Sequence, residues 1–195
     1  AGIPVYAVML KSFNDVYREI RDLGKLTGKN NRADSLISWV QDEVKDMKSR
    51  VPGLASRKKV YFMWAQGPLE TSGKNSTVNE MLEIAGTANA CPNDDEHLTV
   101  NIENIIAWNP DVILMWNNEQ LDPEDILGNR AWQSLSAVKN KEVYELPPVF
   151  YCDFWTLKFP LASAFLMNKT HPELMPDSLL ELKQSQFLQH LYRTK

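Results

Sequence analysis

Three short apolar runs constrain this chain more than any other feature: VYFMWA at 60–65, DVILMW at 111–116 and VYEL at 143–146. The first two are unbroken and hydrophobic, and all three are of strand length with β-branched members, as in strands buried on both faces. Helical patterns separate them. A polar loop at 67–76 leads into a helix at 77–85 that turns Val78, Met81, Leu82 and Ala85 inward and ends at Gly86. Asn101 caps a helix at 102–108, which Asn109-Pro110 breaks. Asp122, Pro123 and Asp125 form a cap, a first-turn proline and a box. Trp132 and Leu135 lie on a further turn, and Pro147-Pro148 stops the third run. Beyond it an apolar helix carries Leu157, Leu161 and Phe165, begun or kinked at Pro160, and a last amphipathic helix carries Leu180, Phe187 and Leu191. Strands that alternate with helices predict an α/β unit whose mainly parallel sheet has three or four strands and helices on both faces.

Upstream of that unit lies one long helical pattern, residues 30–51. Ala33, Leu36, Ile37, Val40, Val44, Met47 and Val51 form a single stripe, and charged residues fill the other faces. Asp46 and Arg50 are four apart in the favourable order, and Pro52-Gly53 closes the run. Such a helix is roughly 30 Å long, enough to tie two lobes together. Before it, Ser12 with Asp15 opens a shorter helix with Phe13, Val16, Ile20 and Leu23 on its stripe, ended by Gly28. The apolar run at 3–10 predicts a buried strand, whose sheet partner lies either in this chain or in a piece that is missing. The long helix therefore has a whole lobe at one end and a remnant at the other. The opening residues, AGIPVYAVML, carry no charged-then-apolar leader, as in a mature or truncated chain.

At 44% hydrophobic and 24% charged, the 195 residues suit an ordinary globular core. No apolar run approaches the roughly 20 residues of a membrane span. A net charge of −4 without a basic tract argues against nucleic acid as a partner. Cys91 and Cys152 are far apart in no metal-binding pattern, and are either paired or free thiols. His97, His171 and His190 do not show zinc-site spacing. Asp94, Asp95, Glu96 and His97 share a polar loop at 87–98, but adjacent residues rarely converge on one ion, and a solvated acidic loop is expected.

The Gly67–Ser76 region runs from strand to helix and contains Gly73-Lys74, yet five residues separate the two glycines and Asn75 follows the lysine. That mismatch argues against a nucleotide-phosphate loop. The expectation is a helix N-terminus whose N–H groups, with Ser72, Asn75 and Ser76, face an anion or a carbonyl. No GxGxxG and no GxSxG elbow occurs. Trp64 and Trp116 close two strands, and Trp155 follows the loop after the third, which also holds Tyr151 and Asp153. Each ring alone reads as core; three at successive strand ends favour a cleft beyond the sheet's carboxyl edge.

The ordered blocks TSGKNSTVNEMLEIAGTAN, IENIIAWNPDVILM, WQSLSAVKNKEVYELP and HPELMPD, after AGIPV and the long helix, resemble the helical-backbone periplasmic binding proteins of ABC importers. That family serves iron-siderophore, haem, cobalamin and related metal complexes. The resemblance implies three parts: residues 1–29 as a remnant of an N-terminal lobe, 30–53 as the inter-lobe backbone helix and 54–195 as the C-terminal α/β lobe. The family's opening strands are absent from this chain, and Tyr151-Cys152-Asp153-Phe154-Trp155 is not a general family signature.

The function so implied is an extracytoplasmic receptor, periplasmic or lipid-anchored at the outer face of the cytoplasmic membrane. It has no chemistry or cofactor of its own. Its partners are an ABC importer permease, a small metal-complex ligand and the missing N-terminal lobe. The ligand half-site is Trp64, Gln66, Trp116, Asn117, Tyr151, Asp153 and Trp155. Its aromatic and neutral polar character suits a metal held in an organic chelate. Asp153 either touches ligand or braces its own loop. Glu83 matches the family's permease-docking glutamate on the second lobe, with Glu80 as a solvated neighbour. Two rival readings remain: an oxyanion (molybdate or tungstate) or nickel-complex receptor of the same family, and a nucleotide- or metal-dependent α/β enzyme. In a protein-binding domain the tryptophans would simply be core.

Overall fold

The computed structural model describes residues 2–51 and 57–192. In chain order the elements are α1 (Phe13–Leu26), α2 (Asn30–Arg50), β1 (Lys59–Met63), β2 (Glu70–Thr71), α3 (Thr77–Ile84), β3 (Ala88–Asn89), β4 (Leu98–Thr99), α4 (Ile102–Trp108), β5 (Val112–Met115), α5 (Pro123–Gly128), α6 (Ser136–Lys139), β6 (Val143–Glu145), α7 (Phe159–Thr170) and α8 (Asp177–Tyr192). A short 3-10 turn, Arg130–Trp132, precedes α6.

The main sheet has the order β3-β1-β5-β6 with every pair parallel. Its register sets Phe62 beside Leu114 and Ile113 beside Val143. Period two divides the strand side chains between two cores. Val60, Phe62, Val112 and Leu114 pack with α1, α2, α3, α7 and α8. Tyr61, Met63, Ile113, Met115 and Val143 pack with Ile105, Ile126, Trp132, Leu135 and Val138 on the opposite face. The α/β fold with a parallel sheet covered on both faces is thus as expected. The chain leaves β1 for the outer strand β3, then returns to lay β5 on the other side of β1. The carboxyl ends of β1 and β5 therefore flank a topological switch point, where open parallel sheets leave a crevice.

Helix α2 is one unbroken helix along the side of the lobe, burying Ala33, Ile37, Val40 and Met47. The Pro52-Gly53 stop lies outside the described residues. From α8, the buried Lys183 reaches α2 and donates to Glu43 at 2.6 Å and Asp46 at 3.2 Å. Asp46 also pairs with Arg50, as the four-residue spacing predicts. The capping box of α1 forms: Asp15 N–H donates to Ser12 Oγ, and Ser12 N–H donates to Asp15 Oδ2. Phe13 stacks on Phe159 of α7 at 3.6 Å, so α1 joins the same core.

Three local expectations fail. Residues 3–10 form no strand; most are exposed, with Ile3 at 77% and Val5 at 87%. A strand needs a neighbour for its backbone groups, and none of the described strands pairs with this segment. Leu23, placed on the buried stripe of α1, faces solvent for the same lack of a covering element. Residues 87–98, expected as a loop, hold the edge strand β3 and the start of β4, which pairs antiparallel with β2 through Glu70–Thr99 and Thr71–Leu98. Two-residue strands carry no readable period. No helix among the described residues is long and apolar enough to cross a membrane.

Candidate functional site

The ends of β1 and β5 deliver Trp64 and Trp116 to the switch point. Backbone bonds carry the ladder to that level: Trp116 N–H donates to Met63 O, and Leu146 N–H donates to Met115 O, each at 2.8 Å. The chain then passes Pro147-Pro148 and returns Trp155 over the same edge. Centroids of the three indoles lie 5.4 Å (Trp64–Trp116), 5.7 Å (Trp116–Trp155) and 6.0 Å (Trp64–Trp155) apart. Phe154, fully buried, is the floor beneath them, 4.9 Å from Trp116 and 5.7 Å from Phe62. Trp64 and Trp116 are half-buried, and Trp155 is exposed. Indoles that were each plausible as core thus form one part-exposed aromatic wall.

Local bonds hold this wall. Trp64 Nε1–H donates to Ser72 Oγ at 2.8 Å, and Asn89 of the edge strand donates to Ser72 O at 2.9 Å. A tight turn links Trp64 to Glu70, with Gly67 at φ +147 in a region that side chains disfavour. Gln66 is exposed on that turn, and Asn117 is half-buried beside Trp116. Asn118 organises the next turn: its Oδ1 accepts from Gln120 and Leu121 N–H at 2.9 Å, and its backbone N–H donates to Glu145 Oε1 at 2.9 Å. Asp153 Oδ1 accepts Trp155 N–H at 3.0 Å, so this carboxylate braces its loop. Tyr151 is exposed on that loop, edge-on to Phe150, which in turn stacks on Tyr192 of α8. It makes no ring contact with the three indoles among the described residues.

Sequence reasoning missed His97 as part of this wall. The β2–β4 ribbon carries its imidazole to within 5.9 Å of the Trp64 ring, near-parallel, while Nε2 meets Glu70 Oε2 at 3.0 Å. Thr99 Oγ1 also donates to Glu70, at 2.7 Å. His97 was visible only as a member of an acidic loop; 27 residues separate it from Glu70, and only the ribbon joins them. The Gly73-Lys74 turn presents its donors to its own chain: Gly73 N–H goes to Asp95 O and Lys74 N–H to Asn93 O, at 2.8 and 2.7 Å. Ser76 Oγ donates to Gly73 O and accepts from Asn79 N–H. At Gly73 and Lys74 the acceptors are carbonyls of the chain itself.

Glu83 is exposed on α3, accepting from Asn79 at 3.0 Å. It borders a concavity of about 420 Å³ shared with Arg57, Lys74 and Asn89, away from the tryptophans. Glu80, expected to be solvated, instead turns toward α1 and accepts Phe13 N–H at 3.3 Å; burial pushes its carboxyl above the ordinary value. Cys91 and Cys152 are buried free thiols, and burial pushes Cys152 up to about 12. No three His, Cys, Asp or Glu side chains among the described residues are grouped to hold a bare metal ion.

The family model described as "Periplasmic binding protein" matches residues 1–150. The chain is 28% identical over 152 residues to a Bacillus subtilis protein described as an uncharacterized ABC transporter substrate-binding lipoprotein, YvrC, covering 76% of this chain and 48% of that protein. It is 26% identical over 190 residues to the molybdate-binding protein MolA of Haemophilus influenzae, covering 94% and 54%. Among solved structures, Helicobacter pylori CeuE in a Ni-His complex superposes with a TM-score of 0.87 at 24% identity, covering 100% of this chain and 63% of CeuE, a likeness of fold. The chain spans about half the length of these curated relatives.

Proposed function

This chain belongs to the periplasmic binding protein family, and on that premise we propose that it is part of an extracytoplasmic receptor that takes up a metal chelate and delivers it to an ABC importer permease. The observation that carries the ligand class is the wall of three indoles at the switch point. Flat apolar rings favour a ligand with a flat apolar rim. A bare hard cation wants several oxygen ligands, and the two carboxylates at this wall are engaged, Asp153 by Trp155 N–H and Glu70 by His97 and Thr99. The half-site is Trp64, Gln66, Trp116, Asn117, Tyr151, Asp153 and Trp155, with His97 added by its place on Trp64. Aromatic faces stack the rim, neutral amides fix its orientation, and Asp153 acts through its loop.

In this reading residues 1–29 belong with the lobe that supplies the opposite wall, 30–53 form the backbone helix and 54–195 the second lobe. The protein binds and releases its ligand without catalysing a reaction, in the periplasm or lipid-anchored at the outer face of the cytoplasmic membrane. Glu83, exposed and unengaged by any cation among the described residues, is the docking contact toward the permease.

A second reading, an oxyanion receptor, draws on the likeness to a protein described as molybdate-binding. It is the weaker, because Gly73 and Lys74 of the strand-to-helix turn give their N–H groups to Asp95 O and Asn93 O. The test is titration of a ferric siderophore, haem, a corrinoid and molybdate against the full-length protein that carries this chain. One chelate should bind, and Trp116→Ala and Tyr151→Ala should each weaken it by about 10-fold, the scale of losing one stacked ring and its burial. Binding of molybdate alone, or chelate affinity unmoved by both substitutions, would overturn the chelate reading.

A further inference from the structure

Lys158 stands at the start of α7, directly after the loop that carries Tyr151 and Trp155, and its side chain is buried, with the residue only 6% exposed. No ion pair among the described residues includes it. A buried ammonium is costly unless its donors are met. Here the loop itself meets two of its three donors: Nζ donates to Phe150 O at 2.8 Å and Val149 O at 3.3 Å. Two rings complete the enclosure. Nζ lies 5.4 Å from the Phe150 ring and 6.0 Å from that of Tyr192 on α8, and these rings stack at 13°. Such contacts attract a cation most strongly where it is desolvated.

The residues clasped this way, Val149 and Phe150, immediately precede Tyr151. The far side of the loop is held by buried Cys152 and Phe154 and by the Asp153 bond to Trp155 N–H. The loop has no helix or strand of its own from Pro147 to Lys158. Tyr151 N–H closes a turn onto Pro148 O at 2.8 Å, and Lys158 ties that turn down through the carbonyls of Val149 and Phe150. We propose that Lys158 is a positioning residue that fixes this loop, and through it sets the ligand affinity of Tyr151 and Trp155. The affinity part rests on the receptor reading above; the loop-holding part does not.

The experiment compares wild type, Lys158→Met, Lys158→Arg and Tyr192→Leu in the full-length protein. Tyr192→Leu removes one ring without leaving a charge unmatched, and serves if Lys158→Met does not fold. Without ligand, amide exchange at 149–156 should accelerate by about 10-fold in Lys158→Met, the scale of losing a charge-assisted hydrogen bond. It should accelerate less in Tyr192→Leu and stay close to wild type in Lys158→Arg, while amides of β1 and β5 hold. Titration with a ferric tris-catecholate, or with whichever probe of the panel binds wild type, should show affinity falling in the same order. Unchanged exchange at 149–156 in Lys158→Met, or in Tyr192→Leu should that variant alone fold, overturns the clasp. So does acceleration spread equally through the sheet. Faster loop exchange with unchanged affinity overturns its role in binding. A wild-type protein that binds no probe defeats the receptor reading alone, and the exchange comparison still decides the clasp.

Discussion

Glu80 and Glu83 lie three residues apart on α3 and meet different surroundings, because α1 crosses over one and not the other. Glu80 sits half-buried at the α1 N-terminus, and desolvation raises its carboxyl above the ordinary value of 4.5, opposed by the Phe13 N–H bond. A raised acid binds its proton more tightly in the folded state than in the unfolded state. The stability it contributes is therefore whole below the unfolded value and is lost as pH rises through the folded one. Glu80→Gln, which keeps an acceptor for Phe13 N–H, should leave stability unchanged at about pH 4 and raise it at neutral pH. Urea unfolding at the two pH values checks this; a variant less stable than wild type at neutral pH would show that the charge is favourable there.

At the scale of elements, the turn into α3 is fixed by close backbone approach. A Cβ on Gly73 would overlap the Asn93 carbonyl and lie 2.7 Å from Asp95 O, both backbone atoms that cannot swing aside. The same two carbonyls accept the Gly73 and Lys74 N–H groups. Gly73→Ala should therefore cost about 1–3 kcal/mol, the usual range for overpacking against fixed neighbours. Thermal unfolding measures the loss, and faster amide exchange at 73 and 74 would place it. Since Ser72 of this turn holds the Trp64 indole, Trp64 emission should shift in the same variant.

For the whole molecule, two exposed surfaces carry predictions. Ile3, Val5 and Met9, on a segment that no described strand pairs, and Leu26, at the end of α1, are 66–87% exposed. Exposed apolar side chains drive association where they meet in a patch. The 195-residue chain should self-associate at high concentration in light scattering. A strictly monomeric chain at high concentration would count against this. On the docking side, Glu83→Ala in the full-length protein should leave ligand affinity unchanged and lower uptake, since an exposed charge acts on the partner and not on the cleft. Normal uptake by that variant would remove Glu83 from the permease contact.

The parallel sheet, the unbroken α2 helix and most caps were legible in the sequence because their causes are local: continuous apolar runs, one helical stripe, and Ser12, Asn101 and Asp122 at helix starts. The three indoles at the sheet's carboxyl edge were legible in the same way, since strand ends place side chains once the strands are known. The strand at 3–10 was misread because an apolar run predicts burial without saying whether a neighbour exists to bury it. β3 and β4 were missed because pairs of two residues are defined by their partners across space. His97 on Trp64, Glu80 under α1 and Lys158 beneath the Tyr151 loop join residues from separate elements. Local propensity sets which segments become helix or strand; which side chains share a wall is decided only when the sheet order 3-1-5-6 and the helix crossings bring distant segments together.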